Sequence, residues 1–96
     1  MDVRDITTNG KTAQGITIAL PNVPLVMVLG ARGYIMCGYL NMDTAEKMGD
    51  RAAVVRGVAS LDELLAGKVV ACTSHAQAAG VMIGMSGYEA LQKLVA

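Results

Sequence analysis

The 96-residue sequence contains no Phe, no Trp and only three Tyr. Proteins that grip single-stranded nucleic acid use exposed aromatic rings as stacking platforms, and nucleic-acid binders in general show a basic excess. Here eight basic residues are cancelled by eight acidic ones, and neither sign runs in a block. A nucleic-acid partner is therefore not expected. Two cysteines do not make a disulfide framework, so the reading is a reduced, cytoplasmic chain. No apolar run approaches the roughly 18–20 residues of a membrane span. The opening MDVRDITTNGK lacks the charged-then-apolar layout of a secretory signal.

Charge is scarce as well, at 17% of residues against a usual share of roughly 25%. Hydrophobic residues make up 53%, supplied by Ala, Val, Leu, Ile and seven Met. The length sets one domain over residues 1–96, and a chain this short is marginal as an isolated unit. A small domain so apolar and so poor in charge is expected to cover part of its surface with copies of itself. The partner class is thus a homo-oligomer.

Residues 1–23 read as an N-terminal β-hairpin and assembly region. Val3 to Thr8 supplies β-formers, and Asn9-Gly10 is a strong signal for a type I′ turn. Lys11 to Leu20 returns, with Ile16, Ile18 and Leu20 on one side, until Pro21 and Pro24 end the pairing. Residues 24–96 read as a mixed α/β core. Leu25 to Leu29 (LVMVL) is continuously apolar, as in a strand covered on both faces. Gly30 to Gly33 turns the chain, and Tyr34 to Leu40 returns antiparallel. Asn41 or Asp43 caps a helix that Gly49 ends. Ala52 to Val55 is a short strand. Ser60 and Glu63 form a capping box before the helix LDELLAG. Lys68 to Thr73 is a strand, Ser74 to Ala79 a short helix, and Ser86 with Glu89 a second capping box opening the last helix. The fold class is α/β (α+β): one domain, a mixed β-sheet with an N-terminal hairpin, and three to four helices.

The stretch MCGYLNMDTAEKMGDRAAVVRGVASLDELLAGKV, with GMSGYEAL downstream, resembles the YunC-like domain-of-unknown-function family of bacteria and archaea. The likeness covers Leu25 to Leu94, and its most specific pieces are CGYL and GMSGxEAL. It implies an N-terminal β region that makes tetramers, which here would be Val3 to Leu20. It supplies no catalytic residue to carry over.

Chemistry-bearing residues gather where the second core strand meets its helix. Cys37 near a helix start could act as a nucleophile, with Asn41 or Thr44 donating to an oxyanion and His75 as base. Gly38 would let a ligand approach the backbone, beside Tyr39. The bland alternative for Cys37 is packing, since Cys behaves as a small buried hydrophobe. Cys37, Cys72 and His75 could also give a three-ligand zinc site, although the spacing signal is slight, and no cofactor is the main expectation. Ser86 and Gly87 begin a helix and could offer amides to a ligand, a role the capping box competes with. The favoured function is a non-enzymatic assembly or small-ligand-binding module. The alternative is an enzyme using Cys37, or a zinc site.

Overall fold

Asn9 and Gly10 take positive φ, 54° and 72°, and turn the chain between β1 (Asp2–Thr8) and β2 (Lys11–Ile18). Both values are those a type I′ hairpin demands, which is why Asn-Gly occupies the turn. The computed structural model describes residues 1–95. From the hairpin the chain continues through β3 (Leu25–Leu29) and β4 (Tyr34–Met36), then α1 (Met42–Met48) and β5 (Ala52–Val54). There follow α2 (Leu61–Ala66), β6 (Ala71–Cys72), α3 (Ser74–Ala78) and α4 (Gly87–Leu94). The six strands form one sheet in sequence order. Neighbours are antiparallel except β4 and β5, which run parallel across the α1 crossover.

The main core lies between the sheet and its helices. Val26, Val28, Ile35, Ala53 and Val55 pack with Leu61 and Leu64 of α2 and Ala90, Leu91 and Leu94 of α4. The helix ends follow the local chemistry. Asn41, Ser60, Thr73 and Ser86 each accept an amide hydrogen bond at their helix start, and Gly49 closes α1 with φ 77°. Ser86 and Glu89 form the full reciprocal box. Ser60 does not: it accepts the Glu63 amide at 3.1 Å, while the Glu63 carboxylate reaches back to the Ala59 amide at 2.7 Å.

The strands differ from the sequence reading in three places. Strand β3 is covered on one face only: Val26 and Val28 are buried, Leu25 and Met27 are half-buried, and Leu29 is exposed. Strand β4 stops at Met36, because Leu40 N–H bonds back to Cys37 O at 3.2 Å and closes a turn over Gly38 and Tyr39. The expected Lys68–Thr73 strand pairs with β5 only around Ala71 and Cys72; Val69 instead donates to Met85 O, and Lys68 bridges to Ser86.

The opposite face is covered at β5, where Ala52 and Val54 are fully buried, and carries a partly exposed apolar row across β1 to β4. Register places Val3 opposite Ile16, Ile16 opposite Met27 and Met27 opposite Met36, all on the side away from Val26 and Val28. Val3 is exposed and the other three are half-buried. Strand β1 is one edge of the sheet, seven residues long, whereas the β6 edge has two.

Candidate functional site

Three loops, distant in sequence, meet beside Cys37. Val23 and Pro24 come from the β2–β3 connection, Cys37, Gly38 and Tyr39 from the turn after β4, and Gly57, Val58 and Ala59 from the approach to α2. Together they line a groove of about 480 Å³. That lies within the roughly 300–1,000 Å³ common to small-molecule sites, and its mostly apolar walls are typical of them. The Tyr39 hydroxyl donates to Val23 O at 3.1 Å and ties the first loop to the second. Gly57 holds φ 76°, a conformation that suits glycine and sets the direction of the third.

Cys37 forms the groove floor but is almost fully buried, at 3% exposure. Its Sγ accepts the Val26 amide at 3.5 Å, and its own amide donates to Val26 O at 3.1 Å. These contacts hold the thiol as part of the core. Gly38 is the opposite: it is exposed, and the nearest atoms to a Cβ there would be those of the Arg56 side chain, from 3.4 Å. Gly38 thus leaves its exposed backbone bare of a side chain on the groove wall.

The remaining candidates are dispersed. Asn41 caps α1 by accepting the Thr44 amide at 3.1 Å, so that donor and acceptor satisfy each other. His75 belongs to α3, which leaves the sheet at the Tyr34–Ala52 end, while Cys37 follows Met36 at the other. His75 lines a separate cleft of about 110 Å³ with Arg32, Arg51, Ala78 and Ala79, and its Nδ1 lies 3.7 Å from Glu46 Oε2. It does not reach Cys37 as a base. Cys72 is paired opposite Ala53, and among the described residues no three His, Cys, Asp or Glu side chains gather as a metal-binding group. The Cys37, Cys72 and His75 set is not assembled. Ser86 is engaged as a cap, and the Gly87 amide donates to Gly67 O at 2.8 Å with its Cα packed against the Leu64 carbonyl. Those two residues are spent on joining α4 to α2.

Sequence reasoning found Cys37, Gly38 and Tyr39 and missed the other walls of the groove. Val23 and Pro24 read only as a strand stop, and Gly57-Val58-Ala59 carry no sequence signal that singles them out. Thr73 was also unseen as a centre of bonding. It is fully buried, its hydroxyl donates to Asp50 O at 2.7 Å, and it accepts the Ala52 and Ala76 amides at 3.1 and 3.2 Å. Near it, Glu46 is held below the usual carboxylate range, first by the Ser74 hydroxyl and then by the Ser74 amide.

Comparison with known proteins places these features in a lineage. The family model for a domain of unknown function (DUF1805) matches residues 36–94, which include two of the three groove segments. The uncharacterized protein YunC of Bacillus subtilis (strain 168) is 33% identical, over 99% of this chain and 98% of its own. The crystal structure of a protein of unknown function, TA1206 from Thermoplasma acidophilum, superposes with a TM-score of 0.92 at 41% identity. That match covers 97% of this chain and 91% of the other. With the family model spanning most of the chain and a relative matched end to end, this protein belongs to the DUF1805 family.

Proposed function

We propose that this protein is a cytoplasmic, non-enzymatic small-ligand-binding module that works as a homotetramer joined through its N-terminal strands. The observation that carries the binding role is the groove beside Cys37, apolar-walled and of small-molecule size. Cys37 and Val58 anchor two of its walls on the core and the Tyr39–Val23 hydrogen bond ties in the third, so the shape needs little ordering when a ligand enters. The assembly role is supported by the long β1 edge and the Val3–Ile16–Met27–Met36 row, which a second copy would cover.

Ligand-observed NMR against a library of small fragments tests the binding role. Ala59→Trp fills the groove from its exposed wall, and hits that compete with one another on the parent protein should vanish on this variant. Hits that survive Ala59→Trp unchanged would remove the groove as the site.

The rival reading, an enzyme using Cys37, has one observation in its favour: the thiol lines the groove. Burial and the Val26 amide contact argue instead for packing. On the folded protein iodoacetamide should label Cys72 before Cys37. A Cys37 rate above that of a free thiol near neutral pH would overturn the non-enzymatic reading.

A further inference from the structure

We propose that the groove takes a small carboxylate carrying an apolar body, with Arg56 as the counter-charge at its rim; this rests on the groove being a ligand site. Arg56 immediately precedes the Gly57–Ala59 wall, and its stem runs against Gly38 of the facing wall. A Cβ built on Gly38 would stand 3.4 Å from Arg56 Cγ and 3.9 Å from its Nε. The Arg56 stem and Nε therefore lie beside the Gly38 backbone, adjacent to the residues that line the groove. Among the described residues the guanidinium group has no carboxylate within ion-pair distance and no hydrogen-bond acceptor. Arg4, by contrast, is paired with Asp62.

The surrounding backbone adds donors. The amides of Gly38, Tyr39, Gly57 and Val58 have no protein acceptor among the described residues, although their neighbours Cys37, Leu40 and Val55 all do. Glu63 is the carboxylate that reaches this wall, and it is engaged with the Ala59 amide at the start of α2. The groove thus has apolar walls whose backbone carries unpaired amide donors, and beside it one planar cation of the kind that matches a carboxylate bidentately. A neutral ligand of the same shape would leave that cation unused.

The test compares octanoate with 1-octanol on the intact protein, following backbone amide shifts by two-dimensional NMR. Octanoate should move the Gly38, Tyr39, Gly57 and Val58 resonances and bind about ten-fold more tightly than the alcohol, the factor expected of one charge-assisted contact. Arg56 is exposed, so substituting it does not threaten the fold. Arg56→Gln should abolish the preference for the acid while leaving the alcohol's affinity unchanged, and Arg56→Lys should retain part of it. Equal affinity of acid and alcohol overturns the carboxylate proposal, and a preference that survives Arg56→Gln overturns Arg56 as its counter-charge; either leaves the groove as a ligand site. Absence of any shift at these four amides with either probe overturns both.

Discussion

Tyr34 donates its phenolic hydrogen to Asp50 Oδ2 at 2.8 Å, where β4 begins. Burial first, and then the carboxylate partner, push its pKa from 10.0 up to about 12. The neutral phenol is the form the fold favours. Its stabilisation is complete below the unfolded value and disappears as pH rises from 10.0 through about 12. Alkaline titration of phenolate absorbance should show a late step near pH 12 that Tyr34→Phe deletes; an unchanged late step would assign it elsewhere. Glu46 works in the opposite sense. The Ser74 contacts lower its pKa, so its contribution is present at neutral pH and is lost as pH falls through the depressed value. Thr73 is the more consequential hydroxyl, since one buried oxygen joins the β5 entry, the α3 start and the Asp50 carbonyl. Thr73→Val keeps the shape and strands those groups, and should cost about 2–3 kcal/mol in urea unfolding. A loss no larger than an ordinary surface substitution would show that the bonds do not matter.

Among the elements, the α2–α4 junction leaves no room for a side chain. Gly87 sits at the first turn of α4 with its Cα against the Leu64 carbonyl, where even a methyl group would collide with backbone. Gly87→Ala should destabilise more than Ser86→Ala, which removes only a cap worth about 1 kcal/mol. The reverse order in chemical denaturation would mean that α4 can shift freely. Local chemistry made much of this legible in the sequence. Asn9-Gly10 announced its hairpin, and Asn41, Ser60, Ser86, Gly49 and Gly67 marked helix ends because each acts on groups only a few residues away. Strand ends were less legible. Tyr34 to Leu40 alternates like a strand, yet the strand ends at Met36, with one last bond from the Cys37 amide, because the chain turns back at Leu40. The groove was legible only in its middle wall. Cys37, Gly38 and Tyr39 are unusual residues in themselves, whereas Val23, Pro24 and Gly57 to Ala59 become a site only through the folding of distant segments. The same holds for His75, whose separation from Cys37 depends on which ends of the strands they leave.

Taken as a whole, the molecule has two differently finished sheet faces. Beneath α2 and α4 the sheet side chains are sealed; on the other face Ala52 and Val54 of β5 are buried too, but Val3, Ile16, Met27 and Met36 run in register across β1 to β4 with partial exposure. Burying that row in an assembly would also protect the seven-residue β1 edge from indiscriminate pairing. Met27→Glu places a charge in the middle of the row while leaving the main core intact. It should convert the assembly to smaller species in light scattering, with the monomer fold retained by circular dichroism. An unchanged assembly would move the interface away from this face. No helix among the described residues is long and apolar enough to cross a membrane. The most direct measurement is a native mass spectrum of gently purified protein, which weighs the assembly and whatever it retains together. The account predicts a homotetramer bearing an organic mass that Ala59→Trp fails to hold. A bare monomer, unchanged by that substitution, would contradict it.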